Sequence, residues 1–579
     1  MLWGRIALLV AALVVPVTTA SPHQQGHRMA HGAAAAGKPA WRMPPMGSMP
    51  MTPGLESALP PVDPFVPGMG MDPEMFPAAE PNEIIEAEDG DVVEFDATLV
   101  RRTINGKTLV MYGYNGQYPG PLIKASKGST ITVRFRNDIE LPTTIHWHGL
   151  RLDNRFDGVP DVTQLPVKPG ETFTYEVYFS DTGVYWYHPH VREDIQQDLG
   201  LYGNLLVTPL ETGYYSPVNR EEVLILDDIL MDDAGLIPWG REAPSHTLMG
   251  RFGNVMLVNG ATDYNLSVQR GEVVRFYLTN VANSRTFNVT FGGAPVKIVA
   301  SDVSKFEREE WVTSVVIAPA ERYVVEVLFD QPGKFEIANT IQAIDHFRGE
   351  FVPHVDHLGT VLVGSEAVAA DYTTSFRKLR KNGDVERDIE AFRPYFDKAP
   401  DHRLELSLQV KDLPLPIVRS MEFERGLYAP PMEWNDSMPM MNWLATGKQV
   451  TWILRDQDSG KENMDIHWNF KVGEVIKIRI FNDPTVLHPM NHPIHVHGQR
   501  YLVVDIDGIP NQNLVWKDTA IVPVGSTMDI LVDVTNPGDW MMHCHIAEHL
   551  HAGMMLAFHV EGDRAGDYPP ARSTLETKR

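Results

Sequence analysis

The chain has 579 residues, about four times the ~150-residue length typical of one domain, so we expect two to four domains. Its 50 Lys and Arg residues stand against 75 Asp and Glu, a net charge of −25 that argues against a nucleic-acid-binding protein. One Cys, Cys544, rules out a disulfide within the chain. The composition therefore predicts a multidomain globular protein that attracts cations rather than phosphates.

The N-terminus has the pattern of a secretory signal peptide. Arg5 precedes an apolar run, residues 6–17, and small residues lead to a plausible cleavage site after Ala20. The run is shorter than the ~20 apolar residues that a membrane-spanning helix needs. We predict that residues 1–20 are a signal peptide and that the protein is exported, periplasmic or secreted, with no membrane span after processing.

Residues 21–82 are rich in Met, Pro and Gly and lack strand periodicity, which predicts a disordered segment. Imidazole and thioether are ligands that suit Cu(I). The segment carries both, in His23, His27, His31, Met29, Met43, Met46, Met49, Met51, Met69, Met71 and Met75. It is either a copper-capturing tract or a plain linker, and the sequence leaves both alternatives open.

From residue 83 onward, short runs alternate apolar and polar residues and are rich in β-branched and aromatic side chains, which is typical of strands. The clearest runs are residues 129–135, 172–179, 273–278, 323–329, 475–481 and 528–534. A glycine, a strand and an asparagine recur as KGSTITVRFRN, RGEVVRFYLTN and VGEVIKIRIFN at intervals as long as a domain. The sequence therefore predicts an all-β protein with β domains at 83–210, 211–364 and 402–562, an exposed linker at 365–401 and a C-terminal tail at 563–579.

Histidines are paired in four short clusters: HWHG, HPH, HPIHVHG and HCHIAEHLHAGMM. Alternate residues of a strand project from the same face, so each pair presents two imidazoles side by side. The pairs are His146 and His148, His188 and His190, His495 and His497, and His543 and His545. Cys544 lies between His543 and His545 and must point to the opposite face, so one strand can serve two metal sites.

A thiolate, two imidazoles and a distant thioether are the ligands of a blue-copper electron-transfer site. Cys544, His549 and His492 can supply the three strong ligands, and Met554 the weak axial one. Zinc competes for histidine-rich sites, but eight paired imidazoles with one thiolate do not fit a tetrahedral structural zinc site. The residues themselves therefore favour copper.

The four clusters, in this order, resemble the signature of the multicopper oxidases, the family of laccases, ascorbate oxidases and metal oxidases. The phrases YPGPLI from Tyr118, GNVMLVNG from Gly253 and NPGDWMMHCH from Asn536 are similar to phrases of that family. The resemblance implies three cupredoxin-like Greek-key domains of the β-barrel or sandwich type. It also implies four copper ions: one type 1, one type 2 and a type 3 pair.

By position, the resemblance implies a copper ligand set for each site. The type 1 ion would be held by His492, Cys544 and His549 with axial Met554, the type 2 ion by His146 and His495, and the type 3 pair by His148, His188, His190, His497, His543 and His545. Four substrate equivalents would be oxidised at type 1 copper, and electrons would pass through Cys544, His543 and His545. Dioxygen would then be reduced to two waters.

The resemblance also implies that Asp157 supplies protons for dioxygen reduction, because it matches an acidic position that the family uses near its copper cluster. The alternative is a turn aspartate preceding Gly158. The residue after His549 differs between members of the family. Some bacterial metal oxidases have Glu at this position, whereas this chain has Leu550, as laccase-like members do. We interpret Glu548 as a residue in a structural hydrogen bond.

The reducing substrate remains open. A laccase acting on phenols or aromatic amines is our first hypothesis, and an oxidase of Cu(I), Mn(II) or Fe(II), favoured by the net charge of −25, is the second. A copper-sequestering protein of copper tolerance is a third. Copper nitrite reductase is disfavoured, because it does not need the full type 3 set. A second methionine cluster, read as packing or as a Cu(I) site, comprises Met432, Met438, Met440 and Met441.

Overall fold

A computed structural model describes residues 65–240, 243–345, 350–412, 433–434 and 448–563, all within one compact unit. The predicted signal peptide, residues 21–64, the methionines of the cluster at 432–441 and residues 564–579 lie outside these ranges. Within the described ranges, no helix combines the length and the apolar character needed to cross a membrane.

The first β domain consists of two sheets around one core. One sheet has the strand order β1-β4-β9-β8-β6 and the other β3-β2-β5-β7. Phe95 and Val133 from one sheet and Tyr187 and Leu205 from the other are fully buried in the core between them. The strands are β1 (Ile84–Ala87), β2 (Val92–Ile104), β3 (Lys107–Tyr114), β4 (Leu122–Ser126), β5 (Thr130–Asn137), β6 (His146–His148), β7 (Thr172–Tyr178), β8 (Gly183–His188) and β9 (Gly203–Thr208).

The second domain repeats this plan with longer strands. Its sheets have the orders β13-β10-β15-β20-β17-β18 and β14-β22-β21-β16-β19. The strands are β10 (Arg220–Ile229), β11 (Met231–Asp232), β12 (Gly235–Leu236), β13 (Val255–Val258), β14 (Tyr264–Arg270), β15 (Glu272–Asn280), β16 (Phe287–Phe291), β17 (Val296–Ser301), β18 (Ser304–Val312), β19 (Val315–Ile317), β20 (Arg322–Phe329), β21 (Gly333–Asp345) and β22 (Glu350–Ala367). A short strand later in the chain, β24 (Glu433–Trp434), adds to β21.

The third domain has the sheets β25-β23-β27-β33-β29-β30, with β31 beside β29, and β26-β35-β34-β28-β32. Its strands are β23 (His402–Val410), β25 (Val450–Asp456), β26 (His467–Lys471), β27 (Val475–Asn482), β28 (His492–Val496), β29 (Arg500–Ile506), β30 (Ile509–Pro510), β31 (Trp516–Lys517), β32 (Thr519–Val522), β33 (Thr527–Asp533), β34 (Gly538–Cys544) and β35 (Met555–Glu561). The described helices are short: α1 (Glu193–Gln196), α2 (Ala243–Met249), α3 (Thr373–Phe376), α4 (Gly383–Glu390) and α5 (Ala547–His551).

The repeated sequence phrase forms the same central strand in each domain. These strands are β5, β15 and β27, and each has one parallel and one antiparallel neighbour. Each ends in a buried asparagine, Asn137, Asn280 or Asn482, whose amide donates to two backbone carbonyls in loops or at strand ends. The repeat therefore encodes both a central strand and the residue that fastens the loops at its end.

Two expectations about order differ from the structure. The disordered segment was expected to reach residue 82, yet Phe65 exchanges backbone hydrogen bonds with Trp239, and Ala79 donates to Arg101. Buried backbone groups need hydrogen-bond partners, and these residues find them by pairing with neighbouring backbone segments. The linker 365–401 was expected to be exposed, but Val385 and Ile389 of α4 are buried in a core with third-domain residues.

Candidate metal centre

Strand register brings the paired histidines of two domains side by side. In the first domain β6 pairs antiparallel with β8, which sets His146 opposite His188. In the third domain β28 pairs antiparallel with β34, which sets His495 opposite His543. The other four members lie in these strands or within two residues of their ends, and all eight imidazoles are buried: His146, His148, His188, His190, His495, His497, His543 and His545.

The imidazoles form groups whose nitrogen atoms lie within 4.8 Å of one another. One group contains His148, His188 and His545, and another contains His190, His497 and His543. Together these are the six residues that the family resemblance implied for a type 3 pair. Each group combines the first and third domains, so neither domain forms the centre by itself. His146 and His495, the implied type 2 ligands, group with His148.

Hydrogen-bond acceptors determine which ring nitrogen carries the proton. A carbonyl oxygen only accepts, so a ring nitrogen bonded to it must be the donor. In six of the eight histidines Nδ1 faces an acceptor: His146 to Asp157 O (2.7 Å), His188 to Pro189 O (2.8 Å), His495 to Asp518 O (2.9 Å), His543 to Cys544 O (2.8 Å), His190 to Glu193 Oε1 (2.9 Å) and His497 to Asp157 Oδ2 (2.9 Å). In a neutral ring, Nε2 of these six therefore has a free lone pair.

The free lone pairs are arranged to bind a cation. Nε2 of His497 and Nε2 of His543 lie 3.0 Å apart, and two lone pairs at this distance repel each other unless a cation lies near them. Further inward nitrogens have no hydrogen-bond partner among the described residues: Nε2 of His146, His188, His190 and His495 and Nδ1 of His148. His545 has no partner among these residues at either nitrogen, one of which carries the proton of the neutral ring. Unpartnered buried acceptors are costly. A set of imidazole donors suits copper, so these residues fit the metal that the family implies.

Burial keeps most of these imidazoles neutral, which is the form that binds a metal. Burial, followed by the neighbouring rings, lowers the pKa of His148, His188, His495, His543 and His545 well below the usual range. Burial also lowers the pKa of His497, to about 3. For His190 the contact with Glu193 outweighs burial and raises the pKa.

The predicted blue-copper ligands converge on the opposite face of β34. Sγ of Cys544 lies 3.4 Å from Nδ1 of His492 and 3.9 Å from Nδ1 of His549, and the two Nδ1 atoms are 3.3 Å apart. Nε2 of His549 donates to the carbonyl of Leu248 at 3.3 Å, which leaves the Nδ1 lone pair facing Cys544. Burial raises the pKa of the Cys544 thiol, so copper must displace its proton.

Met554, the predicted axial ligand, is fully buried in the core that contains Cys544. The backbone N–H of Cys544 donates to the Met554 carbonyl at 3.1 Å, which fixes the two residues beside each other. The α5 turn between them carries His549. The short spacing from the cysteine through the histidine to the methionine therefore corresponds to the end of β34, one helical turn and the residue that precedes β35.

Asp157 contacts histidines from both domains. Its Oδ2 accepts from Nδ1 of His497 at 2.9 Å, and its Oδ1 lies 3.3 Å from Nδ1 of His146. Burial acts to raise the pKa of Asp157, but these two contacts outweigh it and hold the pKa below the usual range. The residue also precedes Gly158, which has φ +81°. Asp157 therefore both precedes a glycine in the left-handed region and contacts two predicted copper ligands, and its part in proton supply stays a prediction.

Three residues around the centre, Glu193, Asp518 and Thr519, were not singled out from the sequence. Glu193 was detectable, because it follows the HPH cluster by three residues and reaches back to His190. Asp518 and Thr519 gave no sequence signal, because they contact His148 across some 370 residues of chain. Glu548, interpreted from the sequence as a residue in a structural hydrogen bond, accepts hydrogen bonds from Asn283 Nδ2 at 3.0 Å and Ser284 Oγ at 2.9 Å and lies in α5.

Comparison with known proteins agrees with this geometry. Family models described as multicopper oxidase match residues 97–212, 226–355 and 434–564. Multicopper oxidase MmcO of Mycobacterium tuberculosis is 27% identical over 493 residues, which cover 78% of this chain and 84% of that protein. Dihydrogeodin oxidase of Aspergillus terreus is 26% identical over 529 residues, covering 82% and 84%.

Solved structures share the fold. A multicopper oxidase from Campylobacter jejuni, described as a metallo-oxidase, aligns with TM-score 0.61 and 22% identity over 87% of this chain and 98% of that one. The laccase-like multi-copper oxidase CueO from Ochrobactrum sp. aligns with TM-score 0.61 and 22% identity over 84% and 100%. The all-β, cupredoxin-like fold expected from the sequence is thus confirmed. Together with the matching family models, it shows that the chain belongs to the multicopper oxidase family and is a copper-dependent oxidoreductase.

Proposed function

We propose that this enzyme is laccase-like: it oxidises four equivalents of a phenol or aromatic amine, one electron at a time, and reduces dioxygen to two waters. The observation that carries the proposal is the pair of three-histidine groups lying behind the Cys544, His492 and His549 group. Four bound copper ions, each a one-electron couple, would supply the redox chemistry: together they would store the four electrons that reduction of dioxygen to two waters requires. Leu550 after His549 agrees with the laccase-like pattern in the sequence.

The chain's own contribution is to hold these groups rigidly. Cys544 is bonded directly to His543 and His545, so a short covalent path joins its sulfur to both three-histidine groups. Asp157 holds a carboxylate against His497 and His146, where protons are needed. The buried strands around the centre limit the access of water to it.

An oxygen electrode tests this proposal on copper-loaded protein. We expect oxygen uptake with a phenolic dye and a ratio of four oxidised dye molecules to one dioxygen consumed. Copper content per chain, measured on the same sample, should be four ions. No uptake with phenols, aromatic amines or metal ions would contradict an oxidase and favour copper sequestration.

A second candidate, oxidation of Cu(I) or another metal ion, is favoured by three exposed methionines. Met69, Met71 and Met75 are 57%, 49% and 69% exposed on the segment that follows Phe65. Packing does not account for methionines in water, whereas thioethers bind Cu(I). The net charge of −25 would also draw cations toward the protein.

Replacing these three methionines by leucine separates the two candidates. If Cu(I) is the substrate, the triple variant M69L/M71L/M75L should lose Cu(I)-dependent oxygen uptake and keep the uptake with the phenolic dye. The matched control is Met464→Leu, a methionine 41% exposed elsewhere on the surface. Equal Cu(I) kinetics in all three proteins would contradict a role for the segment.

We also propose that the protein is exported to the periplasm or secreted, which rests on the leader pattern of residues 1–20. Fractionation of producing cells, with N-terminal sequencing of the mature chain, tests this proposal. An uncleaved N-terminus in the cytosolic fraction would contradict it.

A further inference from the structure

His148 differs from its neighbours in the ring nitrogen that faces inward. Its Nε2 faces two acceptors, Asp518 Oδ1 and Thr519 Oγ1, each at 3.1 Å, while its Nδ1 has no partner among the described residues. For His146, His188, His190 and His495 the roles are reversed, and Nε2 is the inward atom. His148 therefore offers the correct lone pair only if its proton stays on Nε2.

Asp518 orders both acceptors. Its Oδ1 accepts from the ring of His148 and also from the hydroxyl of Thr519 at 2.9 Å, so the Thr519 oxygen is turned toward the ring. Asp518 is 0% exposed. A carboxylate at such a position needs a partner of opposite charge, because an unpaired buried charge costs several kcal/mol.

That partner comes from the second domain. Arg322, the first residue of β20, donates from Nη1 to Asp518 Oδ1 at 2.6 Å and from Nη2 to Asp518 Oδ2 at 2.5 Å. Its Nε donates to the carbonyl of Val184 at 3.1 Å, so the fork cannot turn away. The second domain provides none of the predicted copper ligands among its described residues. This ion pair is its contact with the carboxylate of Asp518, while Asp302 accepts long hydrogen bonds, 3.4 Å, from the backbone N–H groups of Asp518 and Thr519.

The glycine of the HWHG cluster shows that the pair occupies the space beside His148. A Cβ on Gly149 would lie 2.5 Å from Asp518 Oδ2 and 2.7 Å from Arg322 Nη2. Gly149 also has φ +85°, a conformation that other residues rarely adopt. The position thus has to be glycine for the ion pair to approach the strand end.

We propose that Arg322 is a positioning residue: paired with Asp518, it keeps an acceptor at Nε2 of His148 and so makes Nδ1 the ligand atom. The inference rests on the proposed copper cluster. It assigns the second domain a role in building a site to which it contributes no ligand. Loss of such supporting contacts typically weakens metal binding by roughly 10–100-fold.

The test compares R322M with R251M. Arg251 is the matched control. Like Arg322, it is a buried arginine of the second domain that pairs with an aspartate of another domain: its Nε donates to Asp198 of the first domain at 2.8 Å. None of its hydrogen bonds among the described residues involves His148 or Asp518. Competition with a chelator measures the copper affinity of each full-length protein. Copper bound at the histidine cluster is measured separately from copper bound at the Cys544 site, which is followed by its blue absorption. Thermal unfolding of the copper-free proteins reports the purely structural loss.

We expect R322M to lose roughly 10–100-fold in copper affinity at the histidine cluster and to keep its blue absorption, while R251M keeps both. Unchanged cluster affinity in R322M, or an equal loss in R251M, would overturn the inference. If R322M does not fold, R322K replaces it: a lysine keeps the charge but not the two-pronged contact, and wild-type affinity would overturn the inference. Absence of cluster copper in the wild-type protein would instead overturn the proposed function.

Discussion

At the residue scale, Asp157 is a buried carboxylate that we propose to supply protons for dioxygen reduction. It contacts His497 in one domain and His146 in the other, and it is 1% exposed. Reduction of dioxygen to water consumes protons inside a buried site, so an ionisable group near the histidines is needed.

We therefore expect Asp157→Asn to retain its copper and its blue colour while oxygen uptake falls by roughly 10²–10⁴-fold, the usual contribution of a proton-transferring group. The amide still accepts a hydrogen bond from His497 but does not carry a proton to the site. Oxygen uptake and copper content are measured on the same sample. Unaltered uptake would exclude the role.

Glu548 is buried, and its carboxylate accepts hydrogen bonds from the neutral side chains of Asn283 and Ser284. Burial, reinforced by Asp194, raises its pKa to about 7. Since the folded state then binds the proton more tightly than the unfolded state does, stability is greatest at low pH and falls as pH rises from the unfolded pKa of ~4.5 to about 7.

Glu548→Gln should flatten this pH dependence in copper-free protein. The wild type is expected to lose roughly 3 kcal/mol of unfolding free energy from this group between about pH 4.5 and 7, and the variant is not. Urea unfolding at a series of pH values measures the difference. Parallel curves for the two proteins would show that the Glu548 carboxyl titrates normally.

At the scale of elements, the repeated central strand carries a hydrophobic face and ends in an asparagine whose hydrogen bonds hold neighbouring backbone segments in place. We call this asparagine the fastener. In β15 the fastener is Asn280, whose side-chain amide donates to the carbonyls of Arg285 and Ile317 and whose Oδ1 accepts from Ala282. Without this side chain, the two carbonyls and the N–H group of Ala282 would lose these hydrogen bonds inside the protein.

Removing the fastener should destabilise the second domain. Asn280→Ala leaves buried backbone groups unpaired at about 1–3 kcal/mol each, so we expect a loss of roughly 3 kcal/mol in urea unfolding. Exposed Asn265 is the control, and Asn265→Ala should change stability by less than about 0.5 kcal/mol. A similar small loss in both variants would contradict the fastening role.

The helices are where sequence and structure diverge at this scale. Val385, Ile389 and Phe392 recur at helical spacing, a pattern that indicates an amphipathic helix and that we had read as part of an exposed linker. In the structure α4 buries Val385 and Ile389, and Phe392 packs against the same core with Trp516. The pattern indicates a helix, but the surface that α4 covers is formed by Leu502 and Trp516, which lie more than a hundred residues later in the chain.

At the scale of the whole molecule, the histidine centre joins the first and third domains. Each three-histidine group draws residues from both, so bound copper would stabilise the assembled state and not either domain alone. Ligand at 100 times its dissociation constant adds about 2.7 kcal/mol to the free energy of unfolding.

We therefore expect removal of copper by a chelator to lower the unfolding temperature measured by calorimetry, and re-addition to restore it. Cys544→Ser is the control, because it affects the site on the other face of β34; copper should still stabilise this variant through the histidines. If copper leaves the unfolding temperature of the wild type unchanged, the ions do not bridge the domains.

The sequence by itself determined the strands, the paired histidines and the two faces of β34, because alternation along a strand is local. It also determined the threefold repeat, since each phrase encodes one complete central strand and its terminal asparagine. Only the tertiary structure decided how the pairs divide into three-histidine groups, which nitrogen of each ring faces inward, and that Arg322 and Asp518 stand behind His148. Those facts depend on acceptors and charges brought together from three domains, and distance along the chain carries no information about them.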